Sequence, residues 1–516
     1  MIDTKALRQK ILDLAIRGKL VPQDPDDEPA SVLLERIRQQ KQQMVKEGKL
    51  KPKDIKNDSV IFVGEDNLHY EKFADGSVKC IEDEIPFDLP EGWAWVRLGN
   101  LSAAIQYGLS NSAEPQGTHR LLRITDIQDG KVDWNTVPFT TVNDPESYLL
   151  KTGDIVFART GATVGKSFLI TETPYPSVYA SYLIRIRLLG SLSPEYIYQF
   201  FDSACYWSQI TDKSVGVGQP NCNGTSLKEL FIPLPPIGEQ LRIVPIAQDL
   251  LAYVVKIDAE KKSLLSIITA TKSKILDLAI RGQLVPQNPD DEPASVLLER
   301  IRAEKEELIK QGKIKRGKKE SFIFRGEDNS YYEKIGNEVE NIDGDIPFEL
   351  PDGWAFVRLK ELWELVSGRD LSPSEYNADG DGIPYITGAS NFANGRVSLV
   401  RWTTTPQVIT KTGDLLLTCK GTIGEMAFNN FGDAHIARQV MAIRNTFALN
   451  PEYLALCITA YISAIKDAAK GLIPGISRED ILNLILPIPS LNYQIRVVEQ
   501  VAKLKSLLTS VEKSLS

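Results

Sequence analysis

The strongest constraint on this fold is that the chain of 516 residues repeats itself. Lys10 to Arg38 and Lys274 to Arg302 run in parallel for 29 positions and differ only at Lys19/Gln283 and Asp24/Asn288. Further blocks recur in the same order. Gly64 to Asn67 matches Gly326 to Asn329, Ile85 to Leu98 matches Ile346 to Leu359, and Lys151 to Asp154 matches Lys411 to Asp414. Ser193 to Tyr196 resembles Asn450 to Tyr453, and Ile232 to Pro235 resembles Leu486 to Pro489. Self-similarity on this scale means two like structural units.

The helical pattern shows how the repeat closes. From Ile243 the 3,4-spaced positions are Ile243, Ala247, Leu250, Val254, Ile257, Lys261, Leu264, Ile268, Thr271, Ile275 and Leu278, the seam of a coiled coil. This predicts one helix with Pro245 in its first turn and a stop near Arg281-Gly282, about 54 Å long at 1.5 Å per residue. Val497, Val501, Leu504, Leu508, Val511 and Leu515 at the chain's end match the first half of that seam. Thr4, Leu7, Ile11 and Leu14 at its start match the second half. The two ends together reproduce the central helix, as in a cyclic two-fold object written as a line. A simple tandem duplication leaves this shared register unexplained.

The expected class is α+β: two globular α/β domains joined by long antiparallel coiled-coil helices in a pseudo-two-fold circular repeat. The expected segments are an N-terminal helical scaffold over 1–48, a first domain over 83–238, and a central long helix with its repeated scaffold over 239–312. A second domain follows over 344–490 and a C-terminal scaffold helix over 491–516. Short β-branched runs such as Leu121 to Ile127 and Asp154 to Ala158 predict strands. Pro194 to Ile210 and Pro451 to Ala469 predict helices. The junctions are nearly identical between halves, whereas the interiors, 99–148 against 360–408, share almost nothing. Two equal surfaces suggest two copies of one partner, and two unlike interiors suggest two different ligands.

Composition excludes several classes. Hydrophobic residues make up 42% and charged residues 25%, as in a soluble globular protein. There is no apolar run of membrane-spanning length and no signal-peptide core, and the scattered cysteines point to a reducing cytoplasm as the expected location. Cys80, Cys205, Cys222, Cys419 and Cys457 are scattered without a CxxC pair, and His69, His119 and His435 have no metal-ligand neighbours. The net charge of −8 argues mildly against nucleic acid, although charge can be segregated or supplied by other subunits.

Four elements in order carry a family resemblance: the duplicated AIRGxLVPQxPxDEPASVLLERI block, the IPFxLPxGWAxVRL start of each domain, the KTGD strand and loop, and the PLPP/PIPS exit with its Q-φ-R-φ-V helix. Over essentially its whole length the chain resembles the specificity subunit of type I restriction-modification enzymes. The resemblance implies that each globular domain is a target-recognition domain reading one half of a bipartite, asymmetric DNA sequence. The helices would set the gap between half-sites. Two methyltransferase subunits would dock on the chain, and motor-nuclease subunits would join them. The complex would use S-adenosylmethionine, ATP and Mg, with none of these bound by this chain. Rival readings are the specificity subunit of a motor-less methylation and cleavage system, or a tandem scaffold for peptides or glycans.

Candidate DNA contacts are Arg159, Thr160, Thr163 and Lys166 in a Gly-rich loop, with Lys420 and Thr422 in the second half. Arg suits guanine edges, whereas Lys and Thr suit phosphates. The loop nearly matches a P-loop, but Thr160 stands where that motif needs Gly. The plain alternative is a tight turn. Gln219, Asn221 and Asn223 carry amides suited to adenine, with a solvated turn as the alternative. Arg369 is a weaker candidate, as are Gln106-Tyr107, Arg123 to Asp126 and Thr387 to Asn391. The basic runs around Gly48 and Gly312 read as solvated linker, with contact to the DNA backbone phosphates as the alternative. Trp93, Trp95 and Trp354 read as core or domain-entry packing rather than base-stacking platforms. No adenine-methyltransferase loop, Walker A motif or nuclease-like cluster is present, so the chain is expected to be non-catalytic. Asp290 to Glu292 sits at a helix start, where acids suit the dipole.

Overall fold

A computed structural model describes the chain except residues 1, 2, 129, 214–221, 315, 318, 319, 394, 469–474 and 516. The chain divides into two compact units, Ile2–Lys261 and Lys262–Ser516.

In the first unit the helix Thr4–Ile16 starts at Asp3, whose carboxylate accepts the Ala6 N–H at 2.9 Å. The helix Ala30–Lys46 follows, then an antiparallel sheet of Ser59–Val63, His69–Phe73 and Val78–Cys80. Next comes a two-stranded ladder that closes the globular domain. Ala94–Arg97 pairs with Phe231–Leu234, Trp95 opposite Pro233. These two strands are the recurring domain start and domain exit of the sequence, so the framing blocks recur because they bond to each other. The interior holds a four-stranded antiparallel sheet in the order Ser167–Leu169, Ile155–Ala158, Leu183–Leu188, Ser102–Tyr107. A smaller sheet sets Ser177–Tyr179 parallel to His119–Leu122, with Phe139–Thr140 on the other side.

The second unit repeats this plan. Its hairpin sheet is Ser321–Arg325, Tyr331–Ile335 and Glu338–Asn341, and Ala355–Arg358 pairs with Ile485–Ile488. Its main sheet runs Trp363–Ser367, Val440–Asn445, Leu415–Thr418, Met426–Phe428. Ala434–Ile436 lies parallel to Ile383–Ile386. The α+β class and the two-unit repeat expected from sequence are both present.

Repeated polar residues have repeated bonds. Asp154 is buried, accepts the Lys151 N–H at 2.8 Å and pairs with Arg187 at 2.6 Å. Asp414 does the same with the Lys411 N–H and Arg444, at 2.8 and 2.9 Å. Tyr196 donates to Pro233 O at 2.7 Å, and Tyr453 to Pro487 O at 2.8 Å. Gln240 accepts the Ser193 N–H and donates to Pro235 O, while Gln494 accepts the Asn450 N–H and donates to Pro489 O. Buried polar groups need such partners, which accounts for the retention of each residue in both copies.

The cores form where scaffold meets domain. In the first unit Ala15, Ile16, Leu33 and Ile243 pack with Phe157, Ile184, Phe200 and Ile232. In the second, Ile275, Ala279, Leu297 and Val497 pack with Leu415, Leu417, Tyr453 and Leu486. Trp93 and Trp95 are buried core residues, and Trp354, partly buried, packs against the second unit's core, meeting Tyr493 edge-on at 4.9 Å.

Three local expectations change. The long helix spans Ile237–Ile280, starting directly after Pro235-Pro236, so Pro245 lies inside it. The carbonyl of Leu241 loses its partner there, but Leu241 is 63% exposed and water can serve it. Pro194 to Ile210 is two helices, Pro194–Phe200 and Ala204–Lys213. The run from Leu121 to Ile127 is strand to Leu122, then a single turn Ile124–Asp126 fastened by the Arg123–Asp126 ion pair, and strand again from Ile127. The helix does stop as expected, with Gly282 at φ +71°.

Candidate nucleic-acid interface

The loop from Arg159 to Lys166 is the hairpin turn between Ile155–Ala158 and Ser167–Leu169. Its backbone is closed by Gly165 N–H to Ala158 O and Ala158 N–H to Lys166 O, at 3.1 and 2.8 Å. Gly161 and Gly165 adopt φ of +74° and +90°, which a side chain at either position would strain. The turn from Lys420 to Glu425 has the same design. Gly424 N–H donates to Thr418 O, Thr418 N–H donates to Glu425 O, and Gly421 and Gly424 have φ of +74° and +86°. Lys166, Lys420 and Thr422 are exposed, while Arg159, Thr160 and Thr163 are half-buried, with Thr163 Oγ1 donating to Thr160 O.

Two more segments lie against each hairpin. Arg159 N–H donates to Tyr182 O and Cys419 N–H to Gln439 O, at 3.1 and 2.8 Å. Cys222 N–H donates to Arg159 O and Ile476 N–H to Cys419 O, at 3.0 and 2.9 Å. A third strand end completes each rim through a close approach. A Cβ on Gly108 would lie 2.3 Å from Tyr179 O, and one on Gly368 would lie 2.1 Å from Ala437 O. Gly is therefore required at both positions. Leu109 N–H and Arg369 N–H then bond Tyr179 O and Ile436 O.

The matching bonds equate Ser181 with Arg438, Tyr182 with Gln439, Leu109 with Arg369, and Thr160 with Lys420. The closing main-chain bonds match, the first hairpin is one residue longer, and the side chains at these four paired positions all differ. In the first unit the Arg159 guanidinium lies 4.8 Å from the Tyr107 ring centre, and among the described residues its buried Nε has no hydrogen-bond partner. Tyr107 Oη accepts the Gly224 N–H at 2.9 Å, and Tyr182 is 64% exposed. In the second unit Arg369, Lys420 and Arg438 are all exposed, and Arg438 pairs with Asp370 at 2.7 Å.

The other sequence candidates have the following places. Asn223 is exposed, but its Oδ1 caps the helix Gly224–Lys228, accepting the Thr225 and Ser226 N–H groups at 2.9 Å each. Gln219 and Asn221 lie outside the described residues. Gln106 Oε1 accepts from Arg185 at 2.6 Å, and buried Asn391 accepts from Thr387, so both stabilise their own domains. Asp291 pairs with Arg496 and Glu292 with Arg300, which accounts for two of the three acids as scaffold. Sequence reasoning missed Tyr182, Asp370, Arg438 and Gln439. None belongs to a motif, and only strand pairing brings them to the rim.

Among the described residues no group of three His, Cys, Asp or Glu is placed to hold a metal ion. Among them, too, no helix is long and apolar enough to cross a membrane.

The profile of a family described as the type I restriction modification DNA specificity domain matches residues 90–266 and 351–515. The type I restriction enzyme EcoEI specificity subunit of Escherichia coli is 27% identical over 99% of this chain and 91% of its own length. The EcoAI specificity subunit of the same organism is 29% identical over 70% of this chain. That alignment spans 63% of the relative, under two thirds of it. A solved chain, described as the structural basis of complex assembly and conformational transition of the type I R-M system, matches with a TM-score of 0.53 at 20% identity. The match covers 83% of this chain and 94% of the other, a likeness of fold.

Proposed function

The chain belongs to the type I restriction modification DNA specificity family, and on that premise we propose that it is the non-catalytic sequence-reading subunit of a type I restriction-modification complex. Each unit reads one half of a bipartite, asymmetric DNA target, and the long helices set the gap between the halves. The observation that carries this reading is the pair of rims. Two rims closed by matching main-chain bonds present different side chains at Ser181/Arg438, Tyr182/Gln439, Leu109/Arg369 and Thr160/Lys420, as two readers of two different half-sites require.

The partners are two methyltransferase subunits, one per unit, with motor-nuclease subunits joining them in the cytoplasm. Support for equal docking sites comes from the duplicated block. Pro25, Pro29, Val32 and Arg36 are exposed, as are their counterparts Pro289, Pro293, Val296 and Arg300. Val32 and Val296 are each 45% exposed. Solvent places no demand on an exposed valine, whereas a shared partner does. The catalytic motifs are absent from the sequence, so S-adenosylmethionine, ATP and Mg belong to the partners.

Replacing 83–238 by the corresponding domain of a relative tests the reading. The methylated motif, mapped genome-wide, is expected to change in one half and keep the other. A change in both halves together would refute independent readers. The purified chain alone is expected to show no methyltransferase, ATPase or nuclease turnover.

A further inference from the structure

We propose that Arg438, oriented by Asp370, reads a guanine in the half-site of the second unit. This rests on the DNA-reading function above and goes beyond it by naming a reader, its orienting partner and a base.

Arg438 stands in the turn between Ala434–Ile436 and Val440–Asn445. It has Lys420 on one side, through Cys419 N–H to Gln439 O, and Arg369 on the other, through Arg369 N–H to Ile436 O. Asp370 holds it from two directions. Asp370 Oδ1 accepts the Arg438 backbone N–H at 3.1 Å, and Oδ2 meets Nε at 2.7 Å. With its amide oriented to satisfy both ends, Gln439 donates to Asp370 Oδ1 at 3.2 Å and to Thr387 O at 3.1 Å. The carboxylate is thereby anchored through Oδ1, and its Oδ2, paired with Nε, holds the guanidinium beside it at the rim. Neither Nη of Arg438 enters a hydrogen bond among the described residues.

Three roles fit an exposed arginine, and the geometry separates them. Exposed ion pairs contribute little to stability, so stability does not account for the arrangement. A phosphate clamp works through net charge, and a carboxylate at 2.7 Å cancels the charge and repels phosphate. Base reading needs something else, a planar fork of donors held in one orientation. Guanine offers O6 and N7 as a pair of acceptors matched to such a fork. Asp370 supplies orientation at the expense of charge, which suits reading and hinders clamping. The first unit has Ser110 and Ser181 at the matching positions, so this reader is confined to one half-site.

The test uses the chain assembled with its cognate methyltransferase subunits, reading the methylated motif and binding to target duplexes altered one base pair at a time. Arg438→Ala and Arg438→Gln are expected to relax one G·C position in one half-site. Discrimination there should fall roughly ten- to a hundred-fold, with the other half-site unchanged. Arg438→Lys keeps the charge, lacks the fork and should not restore discrimination. Asp370→Asn should lower discrimination at the same base pair while raising affinity for random duplex, because a negative charge is lost. An unchanged motif in the Arg438 variants would overturn the proposal, as would uniform weakening on all duplexes with a shallower salt dependence. A wild-type complex without sequence-specific methylation would instead refute the DNA-reading function itself.

Discussion

Arg496 grips Asp291 through two parallel hydrogen bonds, Nη1 to Oδ1 at 3.1 Å and Nη2 to Oδ2 at 2.6 Å. Arg242 grips Asp27 with the same atoms at 3.2 and 2.5 Å. In each unit this fork ties the duplicated block to the helix that leaves the globular domain. Hydrogen bonds from Arg496 hold the Asp291 carboxyl below its usual range, outweighing the opposing effect of burial. A depressed folded value means that the stabilisation is present above the unfolded value, about 3.9. It is lost as pH falls through the folded one. Arg496→Ala is expected to lower stability by about 1 kcal/mol near neutral pH, since the arginine is partly exposed. Arg496→Lys should recover less than half of that for want of a fork. Urea titrations at several pH values check both, and a variant as stable as wild type at pH 7 would show the fork to be idle.

Glu71 is a second acid-sensitive point. Burial alone pushes its carboxyl up, but hydrogen bonds from Arg97 and Ser59 bring the net value below the ordinary one. Its side chain is 3% exposed and meets Arg97 at 2.7 Å. Arg97→Ala leaves a buried carboxylate without its cation and is expected to cost about 3–5 kcal/mol at pH 7. The wild-type pair stabilises above the ordinary glutamate value, about 4.3, and fades as pH falls below it. The gap between wild type and variant should therefore narrow toward acid pH. A gap independent of pH would assign the loss to packing. Arg358→Ala should behave alike, because Arg358 meets Glu333 at the same 2.7 Å.

At Gly368 a methyl group would collide with the backbone at Ala437 O, and no side-chain rotation relieves it. Gly368→Ala is expected to cost about 1–3 kcal/mol and, in the assembled complex, to impair one half-site only. Gly108→Ala should impair the other. Methylation assays on targets with each half altered separately would read this out. Equal damage to both halves would refute the independence of the rims.

The long helix and its C-terminal counterpart test the gap. Deleting 248–254 together with 502–508 removes one heptad from each and keeps the seam on one face. Each helix shortens by about 10 Å, equivalent to about three base pairs. A variant that still methylates should keep its half-site bases with a shorter gap. An unchanged gap would move the ruler to the partners.

Much of the fold is legible in the amino-acid order alone. The repeat exposes the two units, and the repeated polar residues Asp154, Tyr196 and Gln240, with their counterparts, each form one end of a bond. The departures have local causes. The apolar seam begins at Ile243, so it carries no sign of the helix already running from Ile237 past Pro245. The rim is hidden for a different reason. Asp370 and Arg438 lie 68 residues apart, meet only through strand pairing, and have serines as their counterparts, so neither spacing nor repetition marks them. Asn223 shows the converse, since its amide has the chemistry of a base reader while its oxygen caps a helix.

The hairpin turns at Gly161 and Gly421 are held by main-chain hydrogen bonds and glycine conformations, with little help from the side chains they display. Stability and recognition are therefore written in different atoms. The displayed residues are free to mutate without loosening what holds them. On the proposed reading, a lineage carrying this chain can acquire a new target sequence by point substitution while its fold stays intact, and it can do so in one half of the target at a time.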